Sequence, residues 1–184
     1  MSINYLDIIG SMFPGIEVYS TGDPSNYEAI VWSDPLNIIP KEDLDTACLA
    51  KTKEEVIKYL SDECEKAIIG GFESNALGSP YIYDSEQVDQ INLLGAVSAT
   101  VPTEEAPNGH SMYYACRDPI THIKDYQLHT HEQIKYVMIT GAQFKLSKLQ
   151  HFHALRTLVN AQTDHTTVRL ITWDTDPGSF TGQV

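Results

Sequence analysis

Basic residues are scarce in this chain: 12 Lys and Arg stand against 25 Asp and Glu, a formal net charge of −13. Such an excess repels nucleic-acid phosphates and anionic headgroups alike, so neither nucleic acid nor a membrane is expected as a partner. Long apolar runs are missing as well. Nothing approaches the roughly 20 consecutive apolar residues that a bilayer-spanning helix needs. The opening residues, Met1-Ser2-Ile3-Asn4-Tyr5-Leu6-Asp7, have neither the basic start nor the small-residue cleavage site of a secretory leader, so residence in a cytosol is the expectation. Cysteine is sparse. Cys48, Cys64 and Cys116 are odd in number and widely spaced, which matches neither a disulfide framework nor a zinc pattern and leaves buried free thiols.

What the chain does have is apolar content. Over 184 residues, a hydrophobic share of 42% is enough to bury a real core in one ordinary domain or two very small ones. Ile3, Leu6, Ile8, Ile9 and Met12 read as a short helix over 3–12, stopped by Pro14-Gly15. Ile16–Tyr19 and Ala29–Trp32 read as strands around the turn formers Thr21–Asn26, hence a hairpin. A proline-bounded linker, 35–40, leads to a helix start at Lys41-Glu42-Asp43, where acidic residues suit the N-terminal dipole.

A separate helix is expected over 52–69, with Thr52 and Glu55 as a capping box, Val56, Leu60, Cys64 and Ala67 on one face, and Gly70-Gly71 as its stop. Tyr81–Tyr83 reads as a short strand. Ser85 reads as the cap of a further helix that has Val88, Ile91, Leu94 and Gly95 on one side. A surface loop covers 101–110, and Met112–Cys116 and Ile120–Leu128 read as strands about the turn Arg117-Asp118-Pro119. Thr130 and Gln133 then open the longest helix, whose stripe (Ile134, Met138, Gly141, Ala142, Leu149, Phe152, Leu155, Val159) runs for about 30 residues, where about 11 is typical. A stripe longer than its own domain asks for a partner helix, although Lys145 and Lys148 make the spacing irregular for a coiled coil. The run Val168–Trp173 reads as a strand or short helix, and 175–184 as a polar tail. The expected fold class is α+β, a long helix and shorter ones packed on small antiparallel hairpins. Its expected divisions are an N-terminal docking region (1–50), a main domain (51–174) and the tail.

Candidate chemical sites fail on spacing. His129 and His131 are two apart, as are His151 and His153. Two residues on a helix differ by about 200°, so such a pair cannot face one ion, and only His129, preceding its helix, escapes the objection. No HExxH, CxxC or carboxylate triad accompanies them. Asp174-Thr175-Asp176-Pro177-Gly178 imitates the start of a calcium loop but lacks the later ligands. Cys64 falls on an apolar helix face. Cys116 has Arg117 beside it but no base supplied by any motif. Gly70-Gly71 and the Gly78 loop lack the GK[ST] of a phosphate site, and the pairs Glu54-Glu55 and Glu104-Glu105 read as a helix start and a solvated loop. No catalytic, cofactor or metal residues are assigned, and an enzyme is not expected.

Three blocks carry a resemblance. The first runs Ala67-Ile68-Ile69-Gly70-Gly71-Phe72-Glu73-Ser74-Asn75-Ala76-Leu77-Gly78, continuing through Tyr81-Ile82-Tyr83-Asp84-Ser85 and Asp89-Gln90-Ile91-Asn92-Leu93. The second is Leu128-His129-Thr130-His131-Glu132-Gln133, and the third Leu170-Ile171-Thr172-Trp173. From about 64 to 173 the chain resembles an uncharacterised domain common at the C-termini of phage tail-fibre and tail-associated proteins. In the first block a helix ends at glycine and Phe72 and Tyr83 pack across a turn or strand pair. Asp89, Gln90 and Asn92 either bind backbone in neighbouring loops or face solvent. The chain departs from a receptor-binding fibre in having no repetitive shaft. The resemblance implies a virion structural protein, located in the phage tail and in host cytoplasm during assembly, that attaches or connects fibre or baseplate proteins. The implied state is a homo-oligomer, a trimer by the symmetry of fibres. The alternative is a tail-fibre assembly chaperone absent from the mature particle.

Overall fold

A computed structural model describes residues 4–182. Ile3, assigned above to the first helix, and the last two residues of the polar tail lie outside the described residues. The protein is α+β and forms two compact units. One holds the described residues up to Leu60 together with those from Ala154 on, and the other is Ser61–His153.

In the first unit, α1 (Tyr5–Met12) begins where the Asn4 side chain accepts from the backbone N–H groups of Leu6 and Asp7, at 3.1 and 3.3 Å. Strands β1 (Val18–Ser20) and β2 (Ile30–Trp32) pair antiparallel with Val18 opposite Trp32, which is the expected hairpin. Its core gathers Tyr5, Ile8 and Ile9 from α1, Ile30 from β2, Ile39 from the linker, and Leu44, Ala47 and Cys48 from α2 (Lys41–Ile69). Two tyrosines combine apolar burial with satisfied hydroxyls. Tyr5 Oη donates to Asp45 Oδ1 at 2.6 Å and Tyr27 Oη to the Ile39 carbonyl at 2.7 Å, with their rings edge to face at 5.9 Å.

The expected break before Thr52 does not occur. α2 is one helix of 29 residues, and Thr52 lies buried in its interior. Leu44, Cys48 and Thr52 before the polar run Lys51–Glu55 ends, and Leu60, Cys64 and Ile68 after it, are all buried, so buried positions continue on both sides of the run and the helix passes through it. The same unit contains α5 (His165–Arg169), capped by Asp164, whose carboxylate accepts from Thr166 N and Thr167 N, both at 2.9 Å. Of the two readings open for 168–173, the helical one holds only up to Arg169, and Ile171 is buried beyond it.

The second unit is a layer of helices on a sheet. Strands β3 (Phe72–Ser74), β4 (Tyr81–Tyr83), β5 (Met112–Arg117) and β6 (Lys124–His129) lie in that order, antiparallel throughout. The sequence pattern misses β3, whose three residues are too short to show alternation. The turn between β5 and β6 is Asp118–Ile123 rather than 117–119, so Ile120 lies in the turn and not in a strand. Helices α3 (Gln87–Ala99) and α4 (His131–Ala161) cover one sheet face, so that Leu93 and Ala96 of α3 and Ile134 and Val137 of α4 meet Phe72, Tyr83 and Cys116. The capping box of α4 is present. Gln133 Oε1 accepts from Thr130 N at 2.8 Å, and Thr130 Oγ1 accepts from Gln133 N at 3.3 Å.

Two glycines fit this core for reasons of space. Gly71, where α2 stops, has φ +92°, and a Cβ there would stand 2.7 Å from the Tyr83 carbonyl oxygen. Gly141 in α4 admits the Phe72 ring, whose Cζ would lie 2.7 Å from an added Cβ. That ring in turn stacks on Tyr83 at 5.8 Å, the contact expected across the β3–β4 pair.

Candidate interaction surface

Several of the side chains considered for chemistry are buried and hydrogen-bonded within the fold. All three thiols are free and buried, and burial pushes each of them up from its ordinary value, away from the reactive thiolate. Cys64 donates to the Lys148 carbonyl at 3.6 Å. His129 and His131 are both buried but serve different partners. His129 Nδ1 lies 2.8 Å from the Gln127 carbonyl, an acceptor only, so Nδ1 carries the proton and Nε2 accepts from Tyr83 Oη at 2.8 Å. Desolvation holds His129 below the usual imidazole range, against the opposing pull of the Gln127 carbonyl. His131 Nδ1 meets Thr100 Oγ1 at 3.0 Å. His151 is half-buried and His153 exposed on α4. Among the described residues no three His, Cys, Asp or Glu side chains are grouped to hold a metal ion. The calcium-like stretch is a turn in which Asp176 accepts from Gly178 N and Ser179 Oγ, each at 2.9 Å.

The polar trio of the first resembling block divides. Asp89 Oδ2 accepts from Glu86 N at 3.1 Å in the capping box of α3, so Glu86 takes the cap position expected of Ser85. Gln90 donates to the Ser85 carbonyl at 2.9 Å and accepts from Lys145 Nζ at 3.0 Å. Asn92 faces solvent.

What remains unexplained by packing is apolar and outside. The face of the β5–β6 ribbon turned from the helices carries Tyr113 opposite Leu128 and Ala115 opposite Tyr126. Tyr113 and Tyr126 are 66% and 67% exposed, and Ile120 and Ile123 in the connecting turn are exposed as well. An antiparallel sheet with one solvated face normally places polar residues there. The expected inner side of α3 is also its outer one. Val88, Ile91 and Leu94 are all at least 60% exposed, while Leu93 and Ala96 are buried. Between α3 and α4 runs a groove of about 300 Å³, with Phe72, Leu93, Leu94, Met138 and Ala142 among its walls. A second hollow of about 410 Å³ lies along α4 beside Cys64, Ile68, Ile69, Leu149 and Phe152. The Lys145–Gln90 hydrogen bond joins two residues that line both hollows. These apolar groups lie on two sides of the unit, the outer sheet face and the outer side of the helices, and exposed apolar patches on soluble domains mark sites of association.

α4 adds an electrostatic feature that the net charge conceals. From Gln133 to Thr163 the chain has none of its 25 acidic residues but four of its 12 basic ones, Lys135, Lys145, Lys148 and Arg156. Counting charges by element instead of by chain exposes it in the sequence alone. No helix of the described residues is long and apolar enough to cross a membrane.

Neither a curated protein nor a solved structure matches the chain. A family model described as a domain of unknown function, DUF4376, matches residues 51–179, more than half of the length and all of the second unit, and the chain belongs to that family.

Proposed function

We propose that the protein is a structural component of a tailed-phage virion, connecting or attaching tail-fibre or baseplate parts through protein–protein contacts. The observation that carries this reading is the apolar outer face of the second unit's sheet, where Tyr113, Tyr126 and Leu128 stand exposed beside Ile120 and Ile123. Aromatic side chains in such a position are the usual anchors of an interface. The tail context rests on the three resembling blocks, of which the first forms the end of α2, the β3–β4 pair and the start of α3. A homo-oligomer, three-fold in keeping with fibre symmetry, belongs to the same proposal, with the open sheet face as its contact.

Quantitative mass spectrometry of gradient-purified particles, counting this chain against a tail-tube protein of known copy number, tests it. A fixed stoichiometry is expected. Abundance in the lysate with absence from particles moves the assignment to a tail-fibre assembly chaperone that uses the same surfaces transiently. Light scattering on the purified chain tests the oligomer separately, and a monomer both there and in the particle removes that part.

A further inference from the structure

The exposed side of α4 repeats like a seam. Lys135, Ile139, Ala142, Leu146, Leu149 and His153 follow one another at four, three, four, three and four residues, the alternation by which one helix presents a line of contacts to another. All six are exposed, Leu146 at 54%. The line is distinct from the side of α4 that builds the core, because Ile134 and Val137 point inward and residue 139 lies about 140° round the helix from residue 134. From Lys135 to Leu149 the seam is about 21 Å long.

We infer that this seam is a docking site for an acidic amphipathic helix of another protein. Charge selects the occupant. The seam begins at Lys135, whose Nζ stands 3.9 Å from Glu132 Oε2, Lys145 beside its middle has only the neutral Gln90 as partner among the described residues, and no carboxylate occurs on α4 beyond Glu132. Two parallel copies of α4 laid together would set these cations against their own kind, whereas a helix with leucines on its inner line and glutamates beside them would meet opposite charge. The hollows beside the seam are walled by Leu94, Met138 and Ala142 at one end, where Asp84 is already paired with Arg117 and Lys124, and by Ile69, Phe152 and Glu65 at the other, so they suit the partner's apolar side chains and not its carboxylates. This inference deepens the reading of the protein as a connector and rests on it for the partner's setting.

The test uses the full chain and three synthetic 21-residue helices with leucine at the seam positions and Glu, Gln or Lys beside them. Titration calorimetry at low salt is expected to show the Glu helix binding at least tenfold more tightly than the Gln helix. The Lys helix should not bind. Leu146→Asp should weaken the Glu helix at least tenfold, and the pair Lys135→Glu with Lys145→Glu should reverse the preference toward the Lys helix. Circular dichroism confirms that each variant folds, and Leu146→Gln, which adds no charge, stands in if the aspartate variant does not.

Equal binding of the three helices overturns the inference, as does a Leu146→Asp chain that binds as well as wild type. So does a wild-type chain whose self-association is abolished by Leu146→Asp, since the seam would then be a contact between copies. Absence of the wild-type chain from particles would instead strike the connector reading and leave the peptide result standing.

Discussion

Gly71 and His129 show how much of the fold hangs on single atoms. Gly71 combines a positive φ with the Tyr83 carbonyl 2.7 Å from where a Cβ would be, so an alanine there strains the backbone and displaces β4. Gly71→Ala is expected to cost about 1–3 kcal/mol, read as a lower urea midpoint at unchanged slope. His129 stays neutral in the fold. The unfolded imidazole takes its proton near pH 6.5, the buried one only at lower pH, so between those points the unfolded chain holds the extra proton. Its contribution to stability is complete above pH 6.5 and falls as pH drops below it, by at most about 1.4 kcal/mol per unit. His129→Gln, which still accepts from Tyr83 Oη, should show a shallower loss than wild type between pH 7.5 and 5.5 in urea titrations. The glycine stop was legible in the sequence because helix termini favour glycine locally. The Tyr83–His129 bond was not, since its two residues are 46 positions apart and meet only when β4 and β5–β6 assemble.

At the scale of elements, local signals read well and the phases of helices read badly. The capping box of α4 lies within four residues, and the hairpin of β1 and β2 within fifteen, so both were visible. The start of α2 was visible too, but its continuation was not. Lys51–Glu55 looks like a helix beginning, and only the core beneath Leu44, Cys48 and Thr52 shows that the helix is already under way. α3 is the sharper case. Val88, Ile91 and Leu94 form an apolar line that reads as a core face, yet the sheet is met by Leu93 and Ala96. The two alternatives predict opposite mutational outcomes. Ile91→Glu should change stability by no more than about 0.5 kcal/mol, whereas Leu93→Ala should cost about 2–5 kcal/mol. A large loss for the first with little for the second, in chemical denaturation of the full chain, would put α3 in the wrong rotation about its axis.

For the whole molecule, composition was silent about where surfaces lie. The α+β class followed from the mixture of helix and strand signals. The apolar outer sheet face was hidden because Tyr113, Tyr126 and Leu128 carry the same residue types as a core strand, and only the packing of the alternate residues Met112, Tyr114 and Cys116 under the helices tells the sides apart. The grouping of residues before Leu60 with those after Ala154 was equally invisible, being made by contacts distant in sequence. That grouping gives the three thiols a second use. Cys48 sits in one unit, Cys64 and Cys116 in the other, and each is at most 4% exposed. A small alkylating reagent can reach them only through openings of the structure, so their labelling times act as clocks placed at known depths. With peptide-resolved mass spectrometry under native conditions, matching rates at Cys48 and Cys116 would mean that the chain opens as one cooperative body. Faster labelling at one than at the other would mean that each unit keeps its own time.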